Sequence, residues 1–136
     1  MATKKTPNET MIERWKEMIR VLNALSPHEK RNHFDMAVWG ADTECGTVAC
    51  AAGHCSMDAW FRRRGLIGRM DSDDELVFTK LDPCEFFDSA GWSSILMNTQ
   101  RRPVTQVVRE IRQHIKDLKS DPIDALPKAP SSKTFS

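Results

Sequence analysis

The segment from Cys45 to Cys55 concentrates the residue types that could do chemistry. It reads Cys-Gly-Thr-Val-Ala-Cys-Ala-Ala-Gly-His-Cys. Thiolates and imidazoles bind zinc in structural sites, and a thiolate beside an imidazole is the nucleophile of cysteine enzymes. On a helix, Cys50 and His54 would share one face because they are four residues apart. Cys45 would precede that helix, whose positive end stabilises a thiolate.

Two interpretations of this segment are chemical. In the first, Cys45, Cys50 and His54 bind zinc in a closed tetrahedral site. His33 or Cys84 would supply the fourth ligand. In the second, Cys45 is a nucleophile and His33 or His54 is its base. The spacing is not a standard pair of ligand knuckles, and no third orienting residue or glycine-rich oxyanion motif accompanies the thiols.

The third interpretation, which the pattern favours, is structural. Cys50 and Cys55 are then small core residues, because reduced cysteine is among the most buried residue types. The sequence also contains no phosphate-cradling glycine loop, no Gly-x-Ser-x-Gly elbow and no paired-carboxylate signature. We therefore expect no catalytic residue and no cofactor, and an enzyme is the less favoured class.

Basic side chains of the last predicted helix form a second candidate site. Four of them recur at helical spacing and could contact the phosphates of a nucleic acid: Arg109, Arg112, Lys116 and Lys119. Cations also gather near helix C-termini, where they interact favourably with the helix dipole. The net charge of +1, from 20 Lys and Arg against 19 Asp and Glu, gives no overall field that would attract nucleic acid or anionic lipid.

The helices that must position these residues begin with a recurring pattern. A capping side chain, a proline at the first helical position and a glutamate at the third occur together at Thr6-Pro7-Asn8-Glu9, Ser26-Pro27-His28-Glu29 and Asp82-Pro83-Cys84-Glu85. Gly65 is a suitable left-handed terminator for the central helix. With apolar residues at helical spacing, these signals predict helices near 7–25, 27–32, 47–64, 83–90 and 103–119.

The connections between these helices are predicted from their mixed polarity. We expect an irregular or extended link over 33–44 and a loop with buried anchors over 92–102. Residues 76–78 could form a short strand or part of a helix, and helix is favoured. The fold class is therefore all-α or mainly α, a compact single-domain helical bundle with long irregular connections. The domain covers 1–119, and residues 120–136 are predicted to be a flexible or partner-bound tail.

Length and composition agree with this organisation. A chain of 136 residues, 40% hydrophobic and 29% charged, fits one soluble domain. No apolar stretch follows the basic N-terminus as in a secretory signal, and none approaches the roughly 20 residues that cross a bilayer. We expect a cytoplasmic protein whose cysteines are thiols or metal ligands rather than disulfides.

The motif Cys-Gly-Thr-Val-Ala-Cys-Ala-Ala-Gly at residues 45–53 resembles that of a group of small bacterial and bacteriophage proteins. In that group a Phe-Asp/Asn-Met…Trp stretch precedes the motif, and an apolar Leu-Phe helix, a Trp and a Thr/Pro-started helix follow it. The matching segments here are Phe34-Asp35-Met36, Trp39, Glu85-Phe86-Phe87, Trp92 and Pro103 through Ile111. The resemblance covers about residues 34–116 and departs at His54, where tryptophan is common in the group. It implies a phage- or prophage-type accessory protein of the cytoplasm and supplies no catalytic residue.

The expected function is binding of another macromolecule, first of all a protein, without catalysis. A thiol- or zinc-dependent activity centred on Cys45 and Cys50 is the alternative. A small nucleic-acid-binding protein that uses the last helix is the second alternative.

Overall fold

A computed structural model describes residues 6–38, 40–43 and 46–120 of the chain. Over these residues the fold is mainly α, as predicted: seven α-helices and one π-helical turn surround two small antiparallel sheets of two strands each. None of the helices in the described ranges is long and apolar enough to cross a membrane. The elements in chain order are α1 (Pro7–Asn23), α2 (Pro27–Asn32), β1 (Gly40–Thr43), β2 (Gly46–Ala49), α3 (Ala51–Ser56), α4 (Ala59–Arg62), β3 (Gly68–Met70), β4 (Leu76–Phe78), α5 (Pro83–Phe86), α6 (Ser89–Gly91), the π-helical turn (Trp92–Leu96) and α7 (Val104–Ser120).

The helix starts form as the capping pattern predicts. Thr6 Oγ1 accepts the Glu9 N–H at 3.1 Å, and the Glu9 carboxylate accepts the Thr6 N–H at 2.9 Å. Ser26 and Glu29 repeat this exchange at 3.1 and 2.7 Å. Each exchange satisfies two backbone donors that the first helical turn leaves unpaired. Short-range chemistry therefore fixes where α1 and α2 begin.

The prediction of one continuous central helix over 47–64 is wrong, because its first part is a strand and the rest is divided into two helices. Residues Gly46–Ala49 form β2, which pairs with β1 in an antiparallel hairpin. Cys50 has extended backbone, and α3 begins only after it. A second break follows at Asp58, whose carboxylate accepts the Trp60 N–H at 3.0 Å and caps α4. The physical reasons are the β-branched pair Thr47-Val48, which favours a strand, and an aspartate that favours an N-cap.

Three further predictions need correction. Residues 76–78 form the strand β4 rather than a helix, because Asp71 accepts the N–H groups of Asp73 and Glu75 at 2.8 and 3.0 Å and closes a hairpin turn. The helix predicted over 83–90 is divided into α5 and α6 by the extended backbone of Phe87. The loop predicted over 92–102 begins with the π-helical turn. Gly65 has a φ of 105°, as its predicted left-handed role requires.

The core lies between α1 and α7, with α3 packed on α1. Trp15, Met18 and Leu22 are fully buried on α1, and Val107 and Ile111 are fully buried on α7. The small side chains of α3 let it pack closely, since its buried members are alanine, glycine, serine and cysteine. The two long helices thus form the frame on which the short elements are held.

Candidate functional site

The Cys50 thiol is buried, with 3% of the residue exposed, and lies at the start of α3. Burial raises the pKa of this thiol, and the backbone N–H groups of Gly53 and Ala52 oppose that effect only in part. Burial also raises the pKa of Cys55, which is fully enclosed. Burial therefore disfavours the thiolate at both positions, and the thiolate is the form that attacks a substrate or ligates a metal.

His54 is held by hydrogen bonds to the backbone. Its Nε2 lies 2.7 Å from the carbonyl oxygen of His33, and its ring stacks on Phe34 at 6.0 Å. Burial lowers the pKa of His54 despite these backbone acceptors, so the ring is neutral. Cys50 is the N-cap of α3, and its carbonyl accepts the His54 N–H at 2.9 Å, so the two residues lie one helical turn apart. Through its contact with His33, His54 ties α3 to the chain that leaves α2.

Of the remaining candidate residues, His33 adjoins His54 through its backbone, whereas Cys84 lies on a different element. His33 ends α2, with its ring 5.4 Å from that of His28. Cys84 is exposed on α5. Cys45 lies outside the described residues. Within the described ranges, no group of three or more His, Cys, Asp or Glu side chains could hold a metal ion.

The basic residues predicted to contact nucleic acid form a flank of α7, and all four are exposed. The acidic residues of α7 lie on the other flank: Glu110 binds Arg102, and Asp117 accepts a hydrogen bond from Gln113 at 3.1 Å. Among the described residues, no acidic side chain forms an ion pair with this flank. We call Arg109, Arg112, Lys116 and Lys119 the α7 basic flank.

A buried arginine, which the sequence did not reveal, organises the approach to α7. The Arg102 side chain is 4% exposed and forms a two-pronged ion pair with Glu110 at 2.7 and 2.8 Å. Its other N–H groups donate to the carbonyls of Ile95, Asn98 and Gln100 at 2.8 to 3.0 Å. All five guanidinium donors are therefore used inside the protein. Arg102 joins the π-helical turn and the following loop to α7.

A second buried polar cluster is centred on Asp88. Its carboxylate accepts hydrogen bonds from Trp15 Nε1 at 2.7 Å and from the Gly91 N–H at 2.9 Å, and His114 Nε2 lies 2.8 Å away. A side chain at Gly91 would overlap Trp15 and His114, so only glycine fits there. The available sequence signal was the capping pattern of Asp88 before a short helix, which gives no indication of the tryptophan and histidine partners. Through these contacts Asp88 joins α1, the end of α6 and α7.

A groove with apolar walls lies between β4, α5 and the π-helical turn. Its volume is about 380 Å³, and its lining atoms are mostly apolar. We call it the Trp92 groove, and its walls are formed by Leu76, Val77, Phe78, Asp82, Pro83, Cys84 and Trp92. Sequence reasoning missed it because it depends on β4 being a strand.

The border of the Trp92 groove is strongly acidic. Residues 71–85, which supply most of its walls, carry six Asp and Glu and one Lys, although the whole chain has a net charge of +1. Asp82 lines the groove itself, and Glu85 is exposed on the same helix. Asp73, Asp74 and Glu75 are exposed in the β3–β4 turn that continues into Leu76. The local charge beside the apolar walls is therefore negative.

In comparisons with protein-family models, with curated proteins and with solved structures, no match was found. Function is therefore inferred from the residues of this chain.

Proposed function

We propose that this chain is a non-enzymatic accessory protein of the phage or prophage type, which acts by binding another protein. The observation that carries the proposal is the Trp92 groove with its acidic border. Apolar grooves with a few polar groups on the rim are a common means of holding a partner segment, and the charged rim sets the orientation and the association rate. The partner segment that fits is an apolar anchor flanked by Lys or Arg.

The buried state of the thiols supports the same proposal. Cys50 and Cys55 are enclosed, and burial raises the pKa of both. Cys50 lines a cavity of about 120 Å³, less than a third of the volume of the Trp92 groove. The Trp92 groove therefore offers a partner more room than the cavity beside the thiol.

A peptide-display selection tests the proposal. We expect the selected peptides to place one or two large apolar residues beside at least two Lys or Arg. Val77→Lys, which puts a cation on the groove wall, should weaken binding of a selected peptide at least about tenfold, since it adds like charge and removes apolar contact. Fluorescence polarisation with the labelled peptide measures the change.

Met97→Lys is the matched control for that experiment. Met97 is 50% exposed and lies outside the groove, so the same change in charge should leave peptide affinity within about twofold. Alkylation of the exposed Cys84 with a bulky maleimide, in a Cys45→Ser background, should block the groove without a new charge. Selected peptides rich in Asp and Glu, or equal affinity for the parent and Val77→Lys proteins, would refute this function.

Binding of nucleic acid is the second candidate, and the α7 basic flank is the observation that favours it. Three or four cations of this flank would release a similar number of counterions, so the logarithm of affinity should fall with the logarithm of salt with a slope of about −3. Arg109→Gln with Arg112→Gln should reduce the slope by about 2 units. Affinity that is independent of salt would exclude this candidate.

A further inference from the structure

A second cavity, separate from the Trp92 groove, lies where the end of α2 meets the start of α7. Its volume is about 410 Å³, within the range of about 300–1,000 Å³ that small-molecule sites occupy. We call it the Arg101 cavity, and it is lined by Lys30, Arg31, Phe34, Asp35, Met36, Arg101, Arg102 and Pro103. Four cationic residues from two distant segments of the chain therefore converge on one concave site.

The charges of the Arg101 cavity do not cancel. Arg102 is balanced by Glu110, and its five N–H groups are all used. Arg101 pairs with Asp35, both of whose oxygens lie 3.1 Å from its Nε. Two positive charges, those of Lys30 and Arg31, remain without a balancing acid on the cavity wall.

The donors of this cavity are available to an anion. The Arg101 side chain is 75% exposed and its contacts to Asp35 use Nε, so its two Nη groups have no hydrogen-bond acceptor among the described residues. A guanidinium fork and a neighbouring ammonium are the groups that bind phosphate most strongly in proteins. Pro103 also lies on the wall, so the positive end of the α7 dipole points to the same region.

We propose that the Arg101 cavity binds the phosphate group of a small phosphorylated molecule. Lys30, Arg31 and the Nη groups of Arg101 would contact the phosphate oxygens, while Asp35 holds Arg101 in position. Phe34 and Met36 form the apolar floor, against which an organic part of the ligand would lie. This site uses residues different from those of the Trp92 groove and does not depend on the proposed protein partner.

Isothermal titration calorimetry on the full chain at low salt tests the proposal, with pyrophosphate, ADP and a ten-residue oligothymidylate as probes. We expect pyrophosphate and ADP to bind with one site per chain. Lys30→Gln with Arg31→Gln should weaken both at least about tenfold, and Arg101→Gln should do the same, because each change removes charge-assisted hydrogen bonds. These side chains are at the surface, so thermal unfolding should confirm an intact fold in each variant.

Arg109→Gln with Arg112→Gln is the matched control for the double variant, since it also removes two positive charges, but from the α7 basic flank. It should change pyrophosphate affinity less than about twofold. Tighter binding of ADP than of pyrophosphate would indicate that the ligand carries an organic group, and equal binding would indicate that the phosphate is the whole ligand. The proposal is overturned if pyrophosphate and ADP do not bind, if only the oligonucleotide binds, or if the control variant weakens binding as much as the cavity variants.

Discussion

At the scale of single residues, Asp88 shows how one charge can join three elements. Its carboxylate contacts Trp15 on α1, His114 on α7 and the backbone of Gly91 at the end of α6. Burial by itself would raise the pKa of Asp88, but the hydrogen bonds from His114, Trp15 and Gly91 outweigh burial and lower the pKa to about 2. The native fold therefore stabilises the ionised carboxylate.

The low pKa of Asp88 predicts a loss of stability in acid. A group whose folded pKa is depressed contributes stability that is present above its unfolded pKa of 3.8 and is lost as the pH falls through about 2. The side chain is 19% exposed, and the difference in pKa corresponds to about 2 kcal/mol. Urea unfolding at pH 2 to 5 should show the free energy of unfolding of the parent decreasing toward low pH. The Asp88→Asn variant should largely lack the part of this decrease that comes from Asp88.

At neutral pH, Asp88→Asn should lower the free energy of unfolding by about 2 kcal/mol. Asp88 uses one carboxylate oxygen for Trp15 and the other for His114, whereas the amide of asparagine has a single oxygen that accepts hydrogen bonds. One buried partner is therefore left unsatisfied. Asp117→Asn serves as the control, because Asp117 is exposed on α7 and should change stability by less than about 0.5 kcal/mol. An Asp88→Asn protein as stable as the parent would contradict the role of this cluster.

At the scale of elements, Arg102 fixes the π-helical turn and the loop after it to α7. The neighbouring Arg101 differs sharply: its side chain is 75% exposed, whereas that of Arg102 is 4% exposed. Arg102→Lys should therefore reduce the free energy of unfolding by about 3 kcal/mol, because an ammonium cannot replace the five-donor fork and Glu110 loses its partner. Arg101→Lys should cost less than about 0.5 kcal/mol. Chemical denaturation of both variants measures the two decreases in the free energy of unfolding. Equal decreases would show that burial of Arg102 does not matter for stability.

The elements that could be predicted from sequence are those with local causes. Thr6 with Glu9, and Ser26 with Glu29, exchange hydrogen bonds within four residues, so their pattern is sufficient to start a helix. The β1–β2 hairpin has a weaker local signal, the β-branched pair Thr47-Val48. The small apolar residues around this pair fit a packed helix equally well, and pairing with Gly40–Thr43 selects the strand.

The candidate sites follow the same rule. The positions of Arg109, Arg112 and Lys116 on one exposed flank are a matter of helical spacing and could be predicted. The Arg101 cavity could not, because it brings Arg101 next to Lys30 and Arg31 through tertiary packing alone. The prediction that a helix begins near Thr47 was wrong for a local reason, because α3 starts one residue after Cys50.

At the scale of the whole molecule, the cysteines report on how the core opens. Cys50 and Cys55 are buried members of the core, whereas Cys84 is exposed on α5. Because α1 and α7 frame a single core, we expect these two buried thiols to become accessible together, when the domain unfolds.

A thiol-exchange reagent in excess tests this expectation in a Cys45→Ser background, which removes the cysteine that lies outside the described residues. One thiol per chain should react promptly in the native protein, and Cys84→Ser should eliminate that phase. The two slower thiols should react at a common rate that rises with denaturant, because both wait for the same opening. Prompt reaction of Cys50 alone would contradict a single cooperative core. It would also show that the thiol reaches solvent from the folded state, and the thiol-dependent activity would then become the better account of this chain.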